Sequence, residues 1–267
     1  MSFMERLTLG SAWLFTCWKA GPARNIGAMP DRPFERLVFD CDSTLARIEG
    51  VEELSLLRGP EVRTEIARLT EAAMSGEVPL QEVFGRRLEL VAPRRNDVAT
   101  IGRRYIEEAV PGVRETFAAL RSLDKELRIV SGGLRLAVVA FANWLGVPDE
   151  RVHAVQTWFD ADGRLLRFDL QSPLVRRGGK REVLAALPAA RTALIGDGMT
   201  DAEAADLVDC FVAFGGVRRR PAVEALAHVI VPGPNFAALL PELLTAAELD
   251  RLRRDPRHRA LVETATA

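Results

Sequence analysis

Apolar residues in this chain gather into short runs that stop abruptly at carboxylates and glycines. Arg36-Leu37-Val38-Phe39 runs into Asp40-Cys41-Asp42, and Leu127-Arg128-Ile129-Val130 into Ser131-Gly132-Gly133. Thr192-Ala193-Leu194-Ile195 ends at Gly196-Asp197-Gly198, Phe211-Val212-Ala213-Phe214 at Gly215-Gly216, and His228-Val229-Ile230-Val231 at Pro232. Such runs predict strands buried on both faces, as in a parallel sheet. Between them, apolar positions recur at helical spacing over 113–122, 134–145, 180–187 and 201–207. The alternation predicts an α/β fold, a doubly wound, Rossmann-like parallel sheet whose ligands bind beyond the carboxyl ends of the strands. The polar strand ends then share one rim.

From about residue 50 to 110 the alternation stops. Helical patterns cover Val51 to Leu57, Val62 to Met74, Leu80 to Leu90 and Asn96 to Ile106, punctuated by Pro60, Gly76, Pro79 and Pro93. Inserted after the first strand, they predict a helical cap over the rim. Residues 154–170, with Asp160-Ala161-Asp162-Gly163 at their centre, predict a hairpin, and the last thirty or so are read as helix. The expected domains are a core of 34–49 and 108–245, a cap of 50–107 and a helical tail of 246–267. Residues 1–33 contain a short apolar run (Trp13, Leu14, Phe15, Trp18), but Glu5 precedes Arg6 and no clear small-residue cleavage site follows. They are read as a disordered extension, or as translated only if Met1 rather than Met29 starts the chain, in preference to a secretory signal.

Composition narrows the function. With 48% apolar residues the 267-residue chain can build a sizeable core. Its 36 basic and 37 acidic residues leave a net charge of −1, so no electrostatic case exists for nonspecific nucleic-acid or membrane partners. No run approaches the roughly 18–20 apolar residues of a membrane span. Cys17, Cys41 and Cys210 are too scattered for a disulfide framework or a zinc site, which fits a reducing cytoplasm. Only Lys19, Lys125 and Lys180 of the 36 basic residues are lysines, so a lysine beside other chemistry carries more information here than an arginine.

The chemistry starts at Asp40-Cys41-Asp42-Ser43-Thr44, directly after the first strand. Carboxylates this close are costly unless a cation neutralises them, which suits a hard, oxygen-seeking metal. Taken alone, the pair also reads as a solvated turn, Ser131 as a turn residue, Lys180 as a helix start and Asp197 as a strand-end cap. Cys41 is not read as a nucleophile, because no histidine lies near it in sequence to make a thiolate.

Together, Asp40-Cys41-Asp42-Ser43-Thr44, Ser131-Gly132-Gly133, Gly179-Lys180 and Gly196-Asp197-Gly198-Met199-Thr200-Asp201 resemble the four motifs of haloacid dehalogenase-like phosphatases. The segments 47–54, 73–80, 87–90 and 214–216 are similar to those of phosphoserine phosphatases, and the likeness spans roughly 36–232. The resemblance implies Asp40 as nucleophile and Asp42 as general acid and base. It implies Mg²⁺ held by Asp40, the Asp42 carbonyl and Asp197, with Asp201 and Thr200 behind the metal site. Ser131, the Gly132 amide and Lys180 are then expected on the phosphoryl group, with Thr200 also in the substrate site.

The resemblance further assigns Glu49 to an ammonium, Arg87 to a carboxylate and Met74 to an apolar wall. The expected substrate is therefore L-phosphoserine, and the expected pathway serine biosynthesis. Leu80 stands where many relatives carry Phe, and Ser75 where Gly is common. Two alternatives stay open: a relative acting on another small phosphomonoester or passing the phosphoryl group to an alcohol, and a non-enzymatic phosphate- or metal-binding regulator. The ends 1–33 and 246–267 are candidates for a homodimer contact. Arg218-Arg219-Arg220 is read as a solvated face rather than an anion site.

Overall fold

A computed structural model describes residues 30–74, 78 and 80–266. The reading of residues 1–33 thus lies outside the described residues except for its last four, and Ser75 lies outside them too.

Six parallel strands form the main sheet: β1 (Arg36–Phe39), β2 (Glu126–Leu134), β3 (Val152–Val155), β6 (Thr192–Gly196), β7 (Cys210–Phe214) and β8 (Val229–Val231), in the order β3-β2-β1-β6-β7-β8. β4 (Thr157–Phe159) and β5 (Leu165–Phe168) make the separate antiparallel hairpin around the 160–163 turn. β1 lies centrally, Leu37 pairing with Leu127 on one side and Ala193 on the other. Its side chains alternate between faces, as the period of two requires. Leu37 and Phe39 join Ile129, Ile195 and Val212 in one core, while Val38 joins Val130, Leu194 and Phe211 in the other.

Four helices follow β1: α1 (Gly50–Leu56), α2 (Pro60–Met74), α3 (Leu80–Val91) and α4 (Arg95–Glu107). They share the larger core with the sheet through Leu54, Ile66, Leu88, Ile101 and Tyr105. Next come α5 (Val113–Ser122) before β2, α6 (Arg135–Leu145) after it, and α7 (Gly179–Ala185) before β6. α8 (Met199–Ala202) follows β6 and α9 (Pro221–Glu224) follows β7. The chain ends in α10 (Leu240–Leu243), α11 (Ala246–Arg254) and α12 (Arg259–Thr266). None of the described helices is long and apolar enough to cross a membrane.

The architecture agrees with the sequence reading, with three local differences. β2 continues through Ser131-Gly132-Gly133 to Leu134, its pairing with β3 shifting register between Val130 and Leu134, where the side-chain-free glycines let the strand deform. β3 is an additional strand, since Val152–Val155 is short and carries a histidine. The pattern over 201–207 resolves into α8 and a 3₁₀ turn at Ala205–Leu207, because Ala204 leaves helical geometry at φ −104°, ψ 3°.

The chain moves outward from β1 to β2 and β3, then returns to build β6, β7 and β8 on the other side. The β1/β6 junction is therefore the topological switch point, where open α/β sheets bind ligands.

Candidate active site

Asp40 follows β1 and Asp197 follows β6, so the switch point places two carboxylates face to face across adjacent strands. The Asp40 amide donates to the Ile195 carbonyl at 2.9 Å, carrying the strand pairing up to the site. Beyond Asp40 the chain folds back sharply: Leu45 and Ala46 donate to the Cys41 carbonyl, and Ser43 sits at φ 54°. That left-handed backbone is uncommon outside glycine and stores strain where two acidic side chains must share one concavity.

Asp40, Asp197 and Asp201 are buried, and oxygens from all three lie within 4.8 Å of one another. Lys180, the second residue of α7, holds two of them, with Nζ 2.7 Å from both Asp40 Oδ1 and Asp201 Oδ1. Burial alone would lower the lysine, but Asp201 and Asp40 outweigh it and keep the ammonium charged. Burial raises Asp201 while Lys180 opposes the shift. The second oxygen of Asp201 accepts from the Gly198 amide at 3.1 Å, and Gly196 must lack a side chain because a Cβ would run into the Asp201 carboxylate. Thr44 donates to Asp197 Oδ1 at 2.9 Å. Three buried oxygen-bearing groups around one lysine suit a hard divalent cation.

Asp42 faces another way. Its Oδ1 accepts from the Gly50 amide and the Tyr105 hydroxyl, both at 2.7 Å, and its Oδ2 lies 3.4 Å from Ser131 Oγ. Burial, reinforced by Glu49 and Asp40, pushes its carboxyl up to about 7. A group poised there can exchange a proton near neutrality. Burial, Asp42 and Asp40 also push the Cys41 thiol well up, keeping it protonated and a poor nucleophile. Ser131 is fully buried, and its Oγ accepts from the Gly133 amide at 2.9 Å.

A cavity of about 220 Å³ opens over these groups, lined by Asp40, Asp42, Gly132, Lys180 and Thr200 from the sheet side and by Glu49, Val51, Phe84 and Arg87 from the helical segment. It is smaller than the roughly 300–1,000 Å³ of pockets for drug-sized ligands. Glu49 occupies the N-cap position of α1, yet its side chain does not cap the helix; Ser43 Oγ donates to Glu49 Oε1 at 2.6 Å instead. Arg87 projects from α3, and its buried Nε has no hydrogen-bond partner among the described residues. Burial lowers its affinity for its proton, with Glu49 the largest opposing influence. Met74 closes α2 and Leu80 opens α3, but both side chains lie outside the description.

One expectation is corrected. Arg218 and Arg219 are half-exposed or more and pair with Glu52 and Glu224, as a solvated run should. Arg220 instead turns inward, ion-pairs with Asp197 and donates to its carbonyl. The cause is local: Pro221 starts α9, so Arg220 takes an extended N-cap conformation that aims it at the end of β6. Thr44, Tyr105 and Arg220 are site residues that the sequence patterns did not single out. Thr44 had a usable signal, its place inside the first motif.

Comparison with known proteins agrees with this geometry. A family model of haloacid dehalogenase-like hydrolases matches residues 34–209. Phosphoserine phosphatase of Homo sapiens is 33% identical over 213 residues, covering 78% of this chain and 93% of that one. Chloroplastic phosphoserine phosphatase of Arabidopsis thaliana is 34% identical over 206 residues, covering 75% and 69%. A solved structure of a phospho-aspartyl intermediate analogue of phosphoserine phosphatase shares the fold with a TM-score of 0.64 at 22% identity, covering 78% of this chain and 98% of its own.

Proposed function

This chain belongs to the haloacid dehalogenase-like hydrolases, in their phosphoserine phosphatase family, and on that footing we propose that it hydrolyses O-phospho-L-serine to L-serine and phosphate. Family membership makes it a phosphoric monoester hydrolase acting on a small phosphoester. The choice of phosphoserine rests on one observation: a buried guanidinium nitrogen of Arg87, without a hydrogen-bond partner among the described residues, shares the cavity with Glu49. A substrate with both an ammonium and a carboxylate satisfies both groups, and the planar guanidinium suits a carboxylate. In this reading residues 50–107 act as a cap that reads the amino acid, above a core that handles the phosphate. The reaction would close serine biosynthesis.

Asp40 attacks phosphorus, and the bond from phosphorus to the serine oxygen breaks as Asp42 gives that oxygen a proton. Asp42, now a carboxylate, takes a proton from the water that attacks the aspartyl-phosphate, which frees phosphate and restores Asp40. Asp40, the Asp42 carbonyl and Asp197 would hold Mg²⁺, whose charge would offset the phosphoryl oxygens and the surrounding carboxylates. Ser131, the Gly132 amide and Thr200 orient the phosphoryl group. Lys180 aims Asp40 through their ion pair, and Asp201 anchors Lys180.

The test is a hydrolysis screen over phosphoserine, phosphothreonine, histidinol phosphate and phosphoglycolate, with products identified. Free L-serine with inorganic phosphate, and the highest kcat/KM on phosphoserine, is the expected result. Preference for another ester, or a phosphorylated alcohol as product, would overturn it.

A further inference from the structure

We infer that Tyr105 is a positioning residue of this reaction: with the Gly50 amide it holds Oδ1 of Asp42, so that Oδ2 carries the proton delivered to the leaving oxygen. The inference rests on the proposed role of Asp42 and extends it to a residue far away in sequence.

Tyr105 is the only tyrosine of the chain. It lies in the last turn of α4, fully buried, stacked on Phe141 with ring centroids 5.7 Å apart. Leu54, Val98, Ile101, Leu134 and Ala137 line the space next to its ring, surroundings that a phenylalanine would fill equally well. What the hydroxyl adds is its 2.7 Å hydrogen bond to Asp42 Oδ1. Burying a hydroxyl is unfavourable without such a partner, so the contact accounts for a polar atom in an apolar setting.

The same Oδ1 accepts from the Gly50 amide at 2.7 Å. A carboxyl oxygen has two lone pairs, and two donors occupy both. The proton of the acid form therefore resides on Oδ2, whose neighbour is Ser131 Oγ at 3.4 Å, beside the Gly132-Gly133 wall of the cavity. Gly50 and Tyr105 are fitted to each other, since a Cβ at position 50 would collide with the Tyr105 hydroxyl. Gly50 opens α1 and Tyr105 lies in the last turn of α4, so Asp42 is gripped from near both connections between the sheet and the helical segment.

The experiment compares wild type, Tyr105→Phe, Asp42→Ala and the double variant on L-phosphoserine and on p-nitrophenyl phosphate, whose leaving group needs little protonation. It reads leaving-group release in a single turnover with enzyme in excess, apart from the aspartyl-phosphate hydrolysis that both substrates share. Tyr105→Phe should slow single-turnover serine release by roughly 10- to 100-fold, the effect of one hydrogen bond to an ionisable group. The half-saturating phosphoserine concentration should stay within about twofold, and nitrophenolate release should slow by less than about threefold. In the Asp42→Ala background the same change should cost less than about twofold, because coupled residues are not additive. Labelling with ¹³Cζ-tyrosine gives one NMR resonance, which should move in Asp42→Ala. If that resonance stays put, or if Tyr105→Phe is silent or slows both releases equally while Asp42→Ala is selective, Tyr105 does not position the acid. If Asp42→Ala itself slows both releases equally, the acid role fails and takes this inference with it.

Discussion

Lys180 Nζ sits 2.7 Å from Asp40 Oδ1 and 2.7 Å from Asp201 Oδ1, a single buried cation between two buried carboxylates. Removing it leaves like charges facing each other in a desolvated site. Lys180→Met, close in volume and without charge, should therefore lower stability by about 3–5 kcal/mol, the usual cost of breaking a buried pair. Urea unfolding in EDTA measures this, and added Mg²⁺ should recover part of the loss by taking over the neutralisation. The rate on phosphoserine should fall at least about 100-fold. A variant as stable and as fast as wild type would show that the lysine is incidental.

Asp40→Asn should abolish turnover and leave the fold intact, since an amide of the same shape cannot accept the phosphoryl group. Radiolabelled substrate, quenched during turnover, should mark Asp40. Label on Cys41, Ser43 or a histidine would sink the mechanism, and the high pKa of the buried Cys41 thiol argues against the first of these.

The sheet and the acidic cluster were legible in sequence because β1 and β6 end where their apolar runs end, so Asp40 and Asp197 announce themselves by position; Ser131 follows such a run too, although its strand continues to Leu134. Residues placed by tertiary turns were not. Arg220 is one of three consecutive arginines, and only the extended turn before Pro221 separates its fate from that of its neighbours. Tyr105 fits the helical apolar period of α4 and reads as core, which its ring is; its hydroxyl reaches Asp42 only once α4 packs against α1 and α6. Glu49 stood where a helix begins, and it does take the N-cap position of α1, but the carboxylate goes to Ser43.

Arg220 gives a metal prediction of its own. EDTA should inactivate the enzyme and Mg²⁺ restore it, because Asp40 and Asp197 otherwise repel each other and the phosphate. Arg220 shares Asp197 with that cation, so Arg220→Gln should tighten Mg²⁺ binding by roughly 3- to 10-fold, in line with losing a partly exposed ion pair of about 1 kcal/mol. Isothermal titration calorimetry on the substrate-free protein reads this directly. Unchanged or weaker binding would mean that Arg220 supports the site rather than competing for it.

Glu49 and Arg87 provide the most selective test of the substrate. If they bind the ammonium and carboxylate of phosphoserine, Glu49→Gln and Arg87→Ala should each lower kcat/KM on phosphoserine by about 2–4 kcal/mol, roughly 30- to 1,000-fold. Neither should change p-nitrophenyl phosphate hydrolysis by more than about threefold, because Asp40, Asp42 and Lys180 are untouched. The two residues differ in a way that sharpens the comparison. Glu49 already holds Ser43 at 2.6 Å, so its amide variant keeps that contact and loses only charge. Arg87 Nε has no partner among the described residues, so truncating it breaks no hydrogen bond there. Its effect on phosphoserine therefore reports contact with substrate. Parallel loss of both activities in both variants would make the pair structural. No loss of either activity would point to a different phosphate ester and to Leu80 and Ser75 as the positions that shape its pocket.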